Sequence, residues 1–486
     1  MSFLTKNRNV FLFLGGLVFF VYFNALGNNF VSDDLFMISD PLITKIQYFW
    51  NPPYFNIDIR AIYIFFINQL FGPNPFFFRL PNILAHFESA FLVFLILRNL
   101  SNQAVAIFSA TIFAVHPIFI ESVTWISGGG YSLSTFFILA SLLFYINSKN
   151  KKSLLFFYLA LLSCEKAIVF PLILFVYELA LGNLKTMWKK LIPFFLLTGV
   201  WILILFSQIG TRISTLETSF GGVQTKLNPL IQIPIAVTSY LQLIFWPDGL
   251  TLYHSEMFFS QTEYLIRLGI FLLFLACIII SFFKNKPIFF WLSFFLISLI
   301  PTLTPLGVSW IVAERYVYLG TIGIVVATAI ILEKYKNAFW YILAIAAFFL
   351  ALRTISRNAD WQSHDTLWLA TARVSPSSSQ NHNNLGDYYG RHGDLKRSAE
   401  EFALAIKLNP QYADAYHNLG NANRDMGNLD LAIENYKKAL TFNPGLWQSH
   451  LNIGAIYYYQ KNIPLAKEYF SKAVKLNPTL VLPSTL

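Results

Sequence analysis

Two adjacent carboxylates follow the first long apolar run of the chain. Asp33 and Asp34 end the polar segment 28–34, immediately beyond that run. Neighbouring carboxylates beside a membrane repel each other and lose hydration, which raises one pKa and favours a general base or a metal ligand. Ordinary solvated loop acids are the alternative. The pair is a candidate catalytic site, and which of the two is the base stays open.

Other ionisable residues stand at the ends of later apolar runs. The acids favour proton abstraction from a hydroxyl, and the cations favour binding of a leaving phosphate. Anchoring of helix ends is the alternative role. These residues, in chain order, are His116, Glu121, Glu165, Lys166, Glu314 and Arg315.

His86 stands inside the second apolar run. Polar residues inside a membrane span are rare and often functional. A buried structural role is equally compatible with the sequence. We therefore retain His86 as a supporting polar residue of the candidate site, with both roles open.

The composition is that of a membrane protein. Of 486 residues, 56% are hydrophobic and 12% are charged, whereas soluble domains carry about 25% charged residues. Disorder is excluded as well, since it requires low hydrophobicity. The net charge of +10 lies mainly in loops that flank apolar runs, so we expect a lipid bilayer as partner and no nucleic acid.

The apolar runs predict an all-α fold, a polytopic bundle of eleven spans in residues 1–352. A bilayer core needs about 20 apolar residues per helix, and the fifth and sixth runs are shorter than that. Two further apolar stretches, 59–71 and 233–246, predict helices that lie in the interface or re-enter it. The spans are predicted near 10–26, 78–98, 104–120, 131–147, 153–163, 167–181, 191–207, 263–283, 287–304, 316–333 and 338–352.

Charge asymmetry orients these spans. Lysine-rich connections without acids alternate with connections that hold the acids. The positive-inside rule then puts the N-terminus inside and the C-terminal tail on the outer face, after a linker at 353–378. The compact size and the absence of retention or lipidation motifs favour a prokaryotic plasma membrane.

The tail, residues 379–486, is a repeat array. Asn384, Asn418 and Asn452 are spaced by 34 residues, as are Pro410, Pro444 and Pro478. This period, with its small and aromatic positions, is typical of tetratricopeptide repeats, in which helix pairs stack into a solenoid. Three repeats are predicted at 379–412, 413–446 and 447–480.

The three asparagines predict a ladder on the first helices of the repeats. Asparagine amides can hold an extended peptide by paired donor and acceptor. The alternative is that asparagine is simply common at this position of the repeat. A protein or glycan acceptor bound by the array is the functional hypothesis.

Several segments together resemble the transmembrane O-mannosyltransferases with tetratricopeptide repeats. They occur in order along the membrane part, and the repeats follow where that family has them. The matching segments are Tyr22 to Ile38, Asn82 to His86, His116-Pro117 with Glu121 to Val123, Leu162 to Lys166, and Ala313 to Leu319.

The resemblance implies a glycosyltransferase of the GT-C fold that uses a polyprenyl-phosphate sugar and inverts the anomeric carbon. It implies that Asp33 or Asp34 is the base and that Arg315 and Lys166 bind the lipid phosphate. Cys164 stands where the family more often has lysine. No cofactor is required, and a divalent metal at the acidic pair stays open.

Two other functions compete with this enzyme. A membrane scaffold whose repeats recruit partners for envelope assembly would need the repeats but not the two aspartates. A transporter is disfavoured because the polar residues gather at one face and not at the midplane.

Overall fold

The described part of the chain is helical. The structure, a computed structural model, describes residues 2–39, 59–220, 228–257, 259–303 and 310–480, and no strand occurs among them. Five short 3-10 segments interrupt or join the α-helices. These five segments are Phe23–Gly27, Pro117–Phe119, Glu165–Val169, Ile300–Thr302 and Glu314–Val317.

Helices occupy the positions of all eleven predicted spans and of both additional apolar stretches. The α-helices of the membrane part are α1 (Ser2–Tyr22), α2 (Asp34–Ser39), α3 (Ile59–Phe71), α4 (Pro75–Leu100), α5 (Gln103–Val115), α6 (Ile120–Val123), α7 (Gly129–Ile146), α8 (Asn150–Leu161), α9 (Phe170–Ala180), α10 (Leu184–Phe220), α11 (Pro229–Phe245), α12 (Gln261–Lys284), α13 (Lys286–Leu299), α14 (Thr321–Leu332) and α15 (Lys336–Asp360).

Not all of these helices are long enough to cross a bilayer alone. By length and composition, six of the described helices could span: 7–27, 75–100, 129–146, 184–207, 261–284 and 336–360. A seventh span results if α5 and the segment Pro117–Val123 count together, with a bend of 54° between them. Proline lacks the N–H that a continuous helix needs, so the chain bends at His116-Pro117.

The segment predicted as a linker is helical and packed. Helix α15 continues to Asp360, and α16 follows at His364–Val374. Trp361 and Trp368 are 0% and 2% exposed and belong to the core of the membrane part. The apolar pattern ends before residue 353, but two buried tryptophans fix this stretch against the bundle.

The tail forms three antiparallel helix pairs. Each pair packs a glycine of its first helix against an aromatic ring of its second helix, and the last helix ends at Leu476. The helices are α17 (Ser379–Arg391), α18 (Leu395–Leu408), α19 (Ala413–Asp425), α20 (Leu429–Phe442), α21 (Trp447–Tyr459) and α22 (Ile463–Leu476).

Replacing Gly420 by alanine is expected to destabilise the repeat array by about 1–3 kcal/mol, because overpacked cores must shift. The added Cβ would lie 2.6 Å from Cε1 of Tyr436. Hydrogen exchange of the repeat helices in the full chain measures the effect. Gly269→Ala, whose Cβ meets nothing within 4 Å, is the control. Equal exchange in both variants would contradict this packing.

Candidate functional site

A buried arginine fixes the loop that carries the two aspartates. Arg79 of α4 is fully buried, and its Nη1 and Nη2 donate to the carbonyls of Asn28 and Asn29 at 2.8 and 3.0 Å. Its Nε donates to the carbonyl of Thr124 at 2.6 Å. One guanidinium therefore joins the first outer loop to the segment that follows α6.

Asp34 is anchored to the same segment. Its Oδ1 accepts from the backbone N–H and the hydroxyl of Ser127 at 2.8 and 2.6 Å, and its Oδ2 accepts from Val31 N at 3.2 Å. The side chain is 0% exposed. Both oxygens are occupied by protein donors, so Asp34 holds the loop in place.

Asp33 has a different environment from its neighbour. Ser32, between Val31 and Asp33, has a φ of 52°, a left-handed conformation that is costly for a residue with a side chain. Asp33 is exposed to solvent, and the hydroxyl of Ser32 lies 3.4 Å from its Oδ1. The turn at Ser32 therefore directs one carboxylate outward while the next is buried.

The charges around Asp33 are mainly positive. Surrounding protein reduces the hydration of Asp33 and raises its pKa, while the positive charges of Arg315 and Arg60 oppose this rise. Arg60 of α3 donates to the carbonyl of Ser127. The exposed carboxylate thus lies in the field of two guanidinium groups.

Arg315 is held by Glu121. Both its backbone N–H and its Nη1 donate to Oε2 of Glu121, at 3.0 and 3.1 Å. Glu121 is fully buried, whereas the side chain of Arg315 is 13% exposed. The guanidinium also lies 5.0 Å from the ring centre of Tyr316 and 5.6 Å from that of Trp125. This arrangement leaves one edge of the cation accessible.

Lys166 also lies against Tyr316. Its Nζ is 3.6 Å from the centre of that ring and 5.8 Å from the centre of the Tyr131 ring. Lys166 and Arg315 therefore share one tyrosine as a neighbour.

The thiol of Cys164 is not a nucleophile. Burial raises its pKa to about 12, with Glu165 contributing. The thiol is therefore neutral near pH 7.

Glu314 supports the site from inside the protein. It is 0% exposed, and its Oε1 accepts from Arg357 Nη2 at 3.2 Å and from the backbone N–H of Thr251. His254 Nε2 lies 3.7 Å from the same oxygen. Glu314 therefore links the end of α15 to the loop after α11.

The two histidines of the predicted set are buried and contact backbone carbonyls of other segments. His86 contacts the hydroxyl of Tyr318 at 2.6 Å and the carbonyl of Ala114 at 3.2 Å, within the core. His116 contacts the carbonyl of Ile244 at 2.8 Å and accepts from Ile118 N at 3.2 Å. Both rings connect helices, and the structure does not bring them to Asp33.

The asparagine ladder is occupied by contacts within the array. Asn418 Nδ2 donates to Asn383 Oδ1 at 3.0 Å, and Asn452 Nδ2 donates to Asn421 Oδ1 at 2.9 Å. Asn384 is half-buried at the start of the array. Amide donors that join neighbouring helices are less available to a peptide, so any ligand would use other atoms of the groove.

Several residues of the site were missed in the sequence. Arg60 and Arg79 carry a signal that could have found them, because Arg60 is the lone cation of α3 and Arg79 lies within the apolar first turns of α4. Ser127 and Arg357 carry no such signal. Among the described residues, no three His, Cys, Asp or Glu side chains come together as a candidate metal site.

Fold and composition define the class of this protein. It is a multi-pass membrane protein with an array of tetratricopeptide repeats at its C-terminal end. Models of the tetratricopeptide repeat match residues 379–412, 413–446 and 447–480.

The curated relatives of the chain are protein O-mannosyl-transferases. The protein O-mannosyl-transferase F38B6.6 of Caenorhabditis elegans is 26% identical over 436 residues, which cover 83% of this chain and 63% of that protein. The protein O-mannosyl-transferase TMTC3 of Homo sapiens is 24% identical over 461 residues, which cover 80% of this chain and 50% of that protein.

The TMTC3 protein of Mus musculus is similar to the same degree, at 24% identity over 79% of this chain and 49% of its own length. These relatives confirm the resemblance seen in the sequence. The chain spans about half to three fifths of the length of the relatives it matches. Among solved structures, the crystal structure of MamA matches 31% of this chain and 85% of that chain at 24% identity, with a TM-score of 0.22.

Asp34 is expected to make stability depend on pH. Burial raises the pKa of this carboxyl from 3.8 to about 6, so the folded state binds the proton more readily than the unfolded state. The contribution of Asp34 to the free energy of unfolding is then largest below the pKa of the unfolded state. This contribution falls by up to about 3 kcal/mol as pH rises through the pKa of the folded state.

Thermal unfolding in detergent between pH 4 and 7 measures this effect against Asp34→Asn, which cannot titrate at this position. The difference in stability between wild type and variant should decline as pH rises. A difference that stays constant across this range would exclude a titrating Asp34.

Proposed function

We propose that this protein is a membrane glycosyltransferase that moves a sugar, mannose or another hexose, from a polyprenyl phosphate to a hydroxyl of a protein acceptor. The reaction takes place at the outer face of the membrane, and the repeats bind the acceptor. One observation carries the proposal: an exposed carboxylate, Asp33, lies in the field of the accessible cation Arg315. The names of the curated relatives support the same chemistry.

Asp33 is the base in this proposal, and Asp34 positions it. A base must reach the proton that it abstracts, and of the two aspartates Asp33 is exposed while Asp34 is buried. Asp34 has both oxygens bonded to Ser127 and Val31. Asp33 takes the proton of the acceptor hydroxyl while that oxygen attacks the anomeric carbon, and the bond from this carbon to the phosphate breaks with inversion.

The phosphate leaves as an anion, so it needs cations and no proton donor. Arg315 and Lys166 both lie within 5.0 Å of the centre of the Tyr316 ring, and in this proposal they bind oxygens of the same phosphate. Arg60 adds positive charge near Asp33. This charge distribution supports a phosphate leaving group over a neutral one.

An apolar cleft near the site supports a lipid-linked donor. It has a volume of ≈ 420 Å³ and is lined by Phe108, Phe349 and other apolar side chains, with His116 and Arg353 among its few polar residues. The segment that follows His116 packs against Glu314–Val317. The cleft therefore includes the residue that leads into this segment, and its apolar lining suits the hydrocarbon chain of a lipid-linked donor.

Asp33→Asn is expected to lower sugar transfer by about 10²–10⁴-fold, the usual contribution of a general base. Asp34→Asn should have a smaller effect, because an amide can still accept from Ser127 with one oxygen. Transfer of a radiolabelled hexose from its polyprenyl phosphate in purified membranes, at equal expression, measures both. Normal transfer in Asp33→Asn would refute the base assignment.

Lys166→Met is expected to raise the KM for the polyprenyl-phosphate sugar by about 10-fold or more, since a charge-assisted hydrogen bond contributes roughly 1.5–3 kcal/mol. Methionine keeps the apolar contact with Tyr316 and removes only the charge. Lys286→Met is the matched control, because Lys286 lies over Phe282 at 3.3 Å but away from the site. An equal KM in both variants would exclude Lys166 from phosphate binding.

A further inference from the structure

A clamped tyrosine lies in the loop between α11 and α12. The ring of Tyr253 stacks on Trp368 of α16 with 5.8 Å between the centroids and 7° between the planes. Trp310 packs against Tyr253 as well, at 5.6 Å and 50°. Because two large aromatic rings hold it, the Tyr253 side chain has little rotational freedom.

The backbone at Tyr253 is equally fixed. Its carbonyl accepts from the hydroxyl of Ser375, whose oxygen lies 3.2 Å from Thr251 Oγ1. The N–H of Thr251 donates to Glu314, the residue before Arg315. The loop is thus bonded to Glu314, which precedes Arg315, and to Ser375 in the segment that leads into the repeats.

A second chain of contacts leads from Tyr253 to the base. Trp368 packs edge-on against His364 at 5.5 Å, and the Nδ1 atom of His364 accepts from Ser32 N at 3.5 Å. Ser32 precedes Asp33. Helix α16 therefore supports the catalytic loop and the Tyr253 ring together.

The hydroxyl of Tyr253 lies in the field of the reacting groups. Burial raises the pKa of this phenol, the negative charge of Asp33 raises it further, and Arg315 opposes the rise. Within the described ranges, the hydroxyl makes no hydrogen bond. A rigid donor near the base and without a protein partner is suited to bind a substrate.

The segment that leads into the repeats is bonded to the same loop. The backbone N–H and the hydroxyl of Ser377 donate to Glu256 at 2.8 and 3.2 Å, and the hydroxyl of Ser375 donates to the Tyr253 carbonyl. Helix α17 of the first repeat begins at Ser379. Tyr253 is therefore joined to the start of the repeat array as well as to the loop of Asp33.

We infer that Tyr253 binds the acceptor: its hydroxyl donates a hydrogen bond to the hydroxyl-bearing peptide segment that passes from the repeats to Asp33. This inference rests on the proposed function. The stack on Trp368 and the bond from Ser375 keep the Tyr253 hydroxyl in place. A peptide bound to the repeats would then meet a hydrogen-bond donor at a fixed position beside Asp33.

Steady-state transfer to a fluorescent peptide rich in serine and threonine tests this with the full chain. Tyr253→Phe keeps the ring stack and removes only the hydroxyl. It should raise the KM for the peptide by about 3- to 10-fold, the size of a typical hydrogen bond, and leave the donor KM and the thermal midpoint unchanged. Tyr264→Phe, at a tyrosine bonded to the Leu230 carbonyl, is the matched control.

Three outcomes would overturn the inference. An unchanged peptide KM in Tyr253→Phe, with active wild type, refutes the role of Tyr253 and leaves the proposed function intact. A rise in the donor KM instead assigns the hydroxyl to the donor. Absence of transfer by wild type from any polyprenyl-phosphate hexose refutes the proposed function and this inference with it.

Discussion

The site depends on the burial of one guanidinium. Arg79 lies in α4 and its side chain is buried in the protein. Its three hydrogen bonds all go to backbone carbonyls, two of them in the loop before Asp33. A buried cation is tolerated only when its donors are satisfied. If the loop moved away, the buried guanidinium would lose two of its hydrogen-bond acceptors. The position of the Asp33 carboxylate therefore follows from the need to satisfy Arg79.

Glu314 and Arg315, neighbours in the chain, form two separate ion pairs. Glu314 points inward to Arg357, while Arg315 points to Glu121 and keeps an accessible edge. Buried charge pairs add little net stability, but breaking one costs several kcal/mol because the remaining charge is left unpaired. Such pairs fix a geometry more than they strengthen the fold, and here they fix the position of the Arg315 guanidinium.

The sequence predicted the helices and the repeats, because apolar period and repeat spacing are local signals. It could not distinguish Asp33 from Asp34, since that distinction depends on Ser127, which is distant in the chain. It could not assign His86 and His116 to the core, because their partners are backbone carbonyls. The roles of Arg79 and Tyr253 likewise arise from contacts with loops that no local pattern connects.

The first outer loop is tied to the last helix of the bundle. Asn28 donates to the carbonyl of Asn358 at 2.8 Å, and Asn29 N donates to that of Gln362 at 2.9 Å. These residues are separated by about 330 positions, and contacts between such distant residues form late. During synthesis, the early spans would enter the membrane long before their partner leaves the ribosome. The nascent chain would therefore hold the loop of Asp33 in its final position only once the bundle was complete.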